Sequence, residues 1–175
     1  YTFNKSKELA FNKCYVTLEN IKLTIKPKDI SKGFDGEVLE NPQIVVVDGN
    51  LPYGYTIEGI VDGSILYPGS VDTTIIGNVV IRNQAGKDVT SYFDITPEQG
   101  LLTITKPTIE IMASYNGRYD GILHNPELQF LVGNVPSSCE YEYVASGART
   151  NVGSNVATID SFNIVHPLLG DVTEY

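Results

Sequence analysis

Two histidines, two cysteines and a scatter of loop aspartates are the residues of this chain whose side chains could carry chemistry. His124 precedes Asn125-Pro126 and His166 precedes Pro167. A Ser-His-Asp site would need one of them beside a serine presented on a strand-turn-helix elbow, and no GxSxG stretch is present. A zinc site takes three or four Cys or His ligands at short spacing, whereas Cys14, His124, Cys139 and His166 are dispersed along the chain. Cys14 and Cys139 match no CxxC pair. They would form a disulfide only if the fold brought their α-carbons within about 7 Å, and the other reading is two unpaired thiols. Paired carboxylates for glycoside hydrolysis need a cleft with two acids projecting into it, and no such pair is marked in the sequence. No catalytic residue and no metal site is therefore expected. Calcium is the alternative for a bound ion, because Asp48, Asp62, Asp72 and Asp88 supply the oxygen ligands it takes. A DxDxDG loop is absent, and solvated loop acids account for the same residues.

Tyrosine is the remaining chemistry. The chain has 11 tyrosines and no tryptophan. Residues two apart on a strand share a face, so Tyr53 with Tyr55, and Tyr141 with Tyr143, are candidate stripes for stacking on sugars or contacting a protein. Packing in a core or across strands is the competing expectation for the same pairs.

The composition narrows the partners. In 175 residues there are 12 basic and 21 acidic side chains, a net charge of -9, which argues against phosphate-rich nucleic acid and anionic membrane surfaces. No apolar run approaches the roughly 18 residues needed to cross a bilayer, so no direct membrane insertion is expected. The chain opens with Tyr1 rather than Met, which fits a piece cut from a longer protein whose address signals were removed.

The elements that would position any site come in two copies. A shift of 84 residues lays 41–83 over 125–167 without a gap, with 11 identities in 43 positions against about 3 expected by chance. The matches fall on turn formers: Asn41-Pro42 on Asn125-Pro126, Gly49-Asn50 on Gly133-Asn134, Pro52 on Pro136, Gly63 on Gly147, Gly69-Ser70 on Gly153-Ser154. Phe34-Asp35-Gly36 answers Tyr119-Asp120-Gly121, and "DVT" at 88–90 answers "DVT" at 171–173. Between the turns lie β-branched runs such as "QIVVV", "YTIEGIV" and "LLTIT", and helical periodicity is nowhere sustained. The chain reads as all-β: an N-terminal segment 1–19, repeat one at 20–106 and repeat two at 107–175, each repeat a small antiparallel β-sandwich. A β-grasp is the alternative and would need a crossing helix. Phe34 and Tyr119 are expected to pack on the body of their own repeats while Asp-Gly turns the chain beside them.

The order of these motifs, from "KGFDGEVLENPQIVVVDGNLPYGYTIEG" to "DVTSYFDITPEQGLLTITK", resembles the tandem aromatic-Asp-Gly repeats, called YDG or MBG-type domains, of large bacterial cell-surface proteins. The resemblance covers residues 20–106 in full and 107–175 in part. It implies Ig-like stalk or adhesion modules that are secreted and held at the cell surface or wall, with neighbouring repeats as their first partners and no enzymatic activity. Host glycan, mucin or another protein is the ligand class such a family suggests, and no binding residue carries over. Two departures stand out. Repeat two stops at "DVTEY", without a counterpart of "DITPEQGLLTITK". Residues 1–19 lie outside the repeat frame, and are expected to close a preceding module or to complete a neighbouring copy by adding a strand.

Overall fold

The computed structural model describes residues 16–175; Cys14, its pairing with Cys139, and residues 1–15 of the N-terminal segment lie outside them. The chain is all-β. Repeat one contains β1 (Ile21–Pro27), β2 (Ile30–Gly33), β3 (Leu39–Glu40), β4 (Ile44–Gly49), β5 (Thr56–Asp62), β6 (Ser64–Ile65), β7 (Gly69–Arg82), β8 (Phe93–Pro97) and β9 (Gly100–Thr105). Repeat two contains β10 (Glu110–Ser114), β11 (Glu127–Val132), β12 (Glu140–Ser146), β13 (Thr158–His166) and β14 (Gly170–Asp171). Among the described residues the helical content is one 3-10 turn, Thr90–Tyr92, so the crossing helix of a β-grasp is not found there.

Repeat one forms a three-stranded sheet in the order β4-β1-β8, a four-stranded sheet β2-β9-β7-β5 and the short pair β3-β6. The strands are not all antiparallel, as the sequence led us to expect. β8 runs parallel to β1 and β9 parallel to β2, because each returns from the far side of the repeat instead of through a hairpin. Alternation along the strands sends one face of each sheet inward. Leu23 and Ile25 of β1, Phe93 of β8 and Ile81 of β7 are buried together with Val89, and Ile44, Val46, Tyr55, Ile57 and Ile95 pack around them.

Repeat two reproduces half of this. β11 answers β4, β12 answers β5, and β13 answers the second half of β7, with Glu142 opposite Asn163 where repeat one has Glu58 opposite Val80. The bulge between Thr24 and Ile25 recurs between Glu110 and Ile111. The "DVT" motif is matched bond for bond. Asp88 Oδ1 accepts from Thr90 N at 2.9 Å and Thr90 Oγ1 at 2.6 Å, and Asp171 Oδ1 accepts from Thr173 at the same two distances. Thr90 Oγ1 in turn accepts from Ile81 N, and Thr173 Oγ1 from Ile164 N, both at 2.8 Å.

The sequence through Tyr175 has no counterpart of β8 and β9. The consequence is local. Residues 115–118, which answer β2, and 153–157, which answer the start of β7, form no strand, and no described residue takes the place that β9 holds between β2 and β7.

A second buried cluster joins the repeats. Phe34, Leu39, Leu102 and Ile104 of repeat one meet Ile164 and Val172 of repeat two, with Val135, Cys139 and Phe162 packed against them. Leu102 is fully buried here. Replacing it by alanine is expected to lower unfolding stability by about 2–5 kcal/mol. Hydrogen exchange of Leu102→Ala should show faster opening in β13 as well as in repeat one, whereas Leu23→Ala should act on repeat one alone.

Candidate functional site

Three features collect the residues with functional content: the aromatic-Asp-Gly turns, an aromatic face on repeat two, and a cleft beside Tyr115. The first turn is the joint between the repeats. Phe34 is 4% exposed, its N–H donates to Thr105 O at 2.9 Å, and its ring centroid lies 5.7 Å from that of Tyr175. Burial raises the Asp35 carboxyl, but Lys32 Nζ at 2.6 Å and the Glu37 N–H at 2.9 Å outweigh it, so the group is held below its ordinary value. The Asp35 carbonyl accepts from the Ser138 hydroxyl of repeat two. Gly36 has φ +80°, and a Cβ there would overlap the His166 ring. His166 is buried, with Nδ1 accepting from Leu168 N and Leu169 N at 3.2 Å. Lys106 Nζ donates to Glu174 O at 2.7 Å across the same joint.

The second turn has the same backbone and different surroundings. Gly121 has φ +81°, Asp120 Oδ1 accepts from Ile122 N at 2.9 Å, and His124 Nε2 lies 2.9 Å away. The Ile122 N–H and then His124 hold the Asp120 carboxyl below its ordinary value. Tyr119, however, is 65% exposed and does not pack on its repeat, which corrects the expectation from sequence. Phe34 is covered by β9 and by repeat two, and Tyr119 has neither. Ser138, His166 and Tyr175 were missed as joint residues because their counterparts in repeat one, Gly54, Asn83 and Tyr92, carry no shared side-chain pattern beyond the tyrosine.

The tyrosine pairs divide. Tyr53 lies in the turn before β5 and is 95% exposed, whereas Tyr55 packs half-buried on the core with its centroid 6.3 Å from Phe93. These two form no stripe, because Tyr53 is outside the strand that would align them. Tyr141 and Tyr143 do share a face of β12, with centroids 6.5 Å apart. Tyr141 is 5.2 Å from Phe130 and 5.8 Å from Phe162, and the Tyr143 hydroxyl accepts from Leu128 N at 3.4 Å. The result is a continuous, partly exposed aromatic face. Ile57 and Val46 hold the positions of Tyr141 and Phe130 in repeat one, in a cluster that also contains Phe93 and Ile95 of β8.

A cleft of about 490 Å³ opens between residues 115–118 and the loop 150–155. Tyr115 stacks on His124 with centroids 4.3 Å apart, and Arg149 holds the opposite wall by donating to Asn151 O at 2.7 Å and Val152 O at 2.9 Å. The loop acids are not gathered: Asp48, Asp62 and Asp72 lie on β4, β5 and β7, and no group of three or more His, Cys, Asp or Glu among the described residues could hold a metal ion. Among the described residues Cys139 has no disulfide partner. No protein-family model, curated protein or solved structure matches the chain.

Two outcomes follow from the turns. Gly36→Ala and Gly121→Ala both place a side chain at φ near +80°, a strain on the order of 1 kcal/mol, but only Gly36→Ala also meets His166. Gly36→Ala is expected to lower the thermal midpoint further than Gly121→Ala, and His166→Ala should recover part of that difference. The carboxyls of Asp35, Asp88, Asp120 and Asp171 all lie below their ordinary values when folded. Their stabilisation is complete above the unfolded value of about 3.9 and is lost as pH falls through the folded values. Denaturant midpoints should therefore be flat above about pH 5 and fall below about pH 4, less steeply in Asp171→Asn.

Proposed function

We propose that this chain is a non-catalytic tandem-repeat segment of a bacterial extracellular protein, a stalk or spacer of an adhesin built from Ig-like β-sandwich modules. The observation that carries this reading is the joint at Phe34. The aromatic-Asp-Gly turn of repeat one is covered by the body of repeat two, so the motif that recurs in each repeat sits where one module seats on the next. A spacer needs such a joint to resist swinging. The connection 105–108 is short and contains Pro107, whose ring fixes one backbone torsion, and Lys106 is tied to Glu174 O. The acidic composition suits a solvated surface protein.

NMR relaxation tests the stalk reading. The two repeats should tumble as one body, and Phe34→Ala should release them. Independent tumbling of the repeats in the unaltered chain would sink the spacer role.

One observation favours a second reading, a module that binds glycan or mucin: the open face of Phe130, Tyr141, Tyr143 and Phe162. Stacked aromatic rings at the surface offer apolar faces to the C–H side of a sugar. A glycan array probed with the chain and with a folded Tyr141→Ala, Tyr143→Ala variant decides it. Binding lost in the variant would assign recognition to this face, and no binding to any glycan would remove this second reading.

A further inference from the structure

We propose that repeat one is a load-bearing clamp: tension that enters before β1 and leaves after β9 shears a parallel two-stranded ribbon lengthwise, so the repeat resists being pulled apart through its own chain. The inference goes beyond the stalk reading, because rigid repeats can still tear under load.

The ribbon is built from the two ends of the repeat. β1 runs beside β8 with Ile21 opposite Phe93 and Ile25 opposite Pro97, and β2 runs beside β9 with Ile30 opposite Leu102 and Gly33 opposite Thr105. Each residue faces the one 72 further along the chain, and Asp29 keeps that spacing by accepting from Leu101 N at 2.9 Å where the strands change sheets. Residues 21–33 and 93–105 therefore lie side by side without a slip in register, crossing together from the three-stranded sheet to the four-stranded one. All other strand pairings among the described residues are antiparallel.

The direction of these strands decides how they meet a pull. Because they are parallel, Ile21 and Phe93 share one end of the ribbon, and Gly33 and Thr105 share the other. The chain enters at Ile21 and leaves at Thr105, at opposite ends and on opposite strands. Tension between those points slides one strand along the other, and the hydrogen bonds that run between them are loaded together. A hairpin pulled at its open end loses its bonds one at a time. Further ties hold the ribbon along its length. Asn20 Nδ2 donates to Asp94 Oδ1 at 2.9 Å at the entry end, Glu98 N donates to Ile25 O at 2.8 Å near the crossing, and Phe34 N donates to Thr105 O at 2.9 Å at the exit.

Packing opposes the slide. Leu23, Ile25, Leu102 and Ile104 are buried on the inward face of the ribbon, and a slip of one residue would turn such apolar side chains outward. At the crossing the strands approach so closely that a Cβ on Gly100 would overlap the Pro27 carbonyl. The exit end coincides with the joint, since Thr105 O holds the Phe34 turn on which Ile164 and Val172 rest. Load carried by the ribbon is thus handed on at the seat of repeat two.

Optical-trap pulling of the 175-residue chain tests the clamp by the direction of force alone. Handles at Glu19→Cys and Thr108→Cys shear the ribbon, whereas handles at Glu19→Cys and Ser91→Cys peel β1 from β8 at their shared end. All three positions are exposed, and both chains also carry Cys14→Ser and Cys139→Ser. At one loading rate repeat one should need about twice the force or more in shear. Asp29→Ala should speed unfolding about threefold at a fixed shearing force and leave peeling unchanged, because peeling breaks the Ile21 end first. Asp29→Asn, which keeps an oxygen for Leu101 N, should recover most of that loss. Equal forces in the two directions, or shear unfolding that Asp29→Ala leaves unchanged, would overturn the clamp without bearing on the joint tumbling by which the stalk reading is judged. The comparison of directions alters no residue of the ribbon, so it decides the matter should Asp29→Ala fail to fold.

Discussion

The structure depends on the burial of Leu102 and Ile104. β9 is the last strand of repeat one in sequence and an inner strand of its four-stranded sheet, pairing with β2 on one side and β7 on the other. Its inward side chains carry Phe34, and Phe34 with Leu39 forms the floor on which Ile164 and Val172 rest. A single apolar strand thus closes one repeat and supplies the seat for the next. Burial of a leucine-sized side chain contributes roughly 1.5–3 kcal/mol, and here the benefit is shared between both repeats.

The two repeats amount to a comparison made within one molecule. Their turns, bulge and Asp-Val-Thr hydrogen bonds agree closely, so the local sequence suffices to build that part. Where they differ, the difference tracks β8 and β9. Among the described residues, backbone that pairs with β9 in repeat one has no strand partner in repeat two, the core positions beside β8 become an aromatic face, and the aromatic of the Asp-Gly turn moves from buried to exposed. Tyr119 and Phe34 occupy like positions on like backbones. What separates them is the company they keep.

Much of this was legible in sequence. Matched Gly and Pro positions located the repeats and most strands, because positive φ and fixed φ are local demands, and β-branched alternation identified the strands between them. The parallel pairings were not, since β1 with β8 and β2 with β9 are joined across some seventy residues and leave no local trace. The joint was hidden for a similar reason. Gly36 reads as an ordinary turn glycine, and only the fold shows His166 lying over it. Tyr53 was paired with Tyr55 on strand periodicity that does not extend into the turn holding Tyr53.

The late position of β9 also bears on how such a chain comes into being. Residues 30–33 emerge early and must await a partner that follows about seventy residues later, and loops of that length close slowly. During vectorial synthesis, β2, the start of β7 and Phe34 stay exposed until "GLLTIT" has appeared. Repeat one would then lock in a single late step, and the residue pair that locks it, Leu102 with Ile104, also prepares the surface on which repeat two condenses. Order of appearance becomes order of assembly, from the N-terminal module onward.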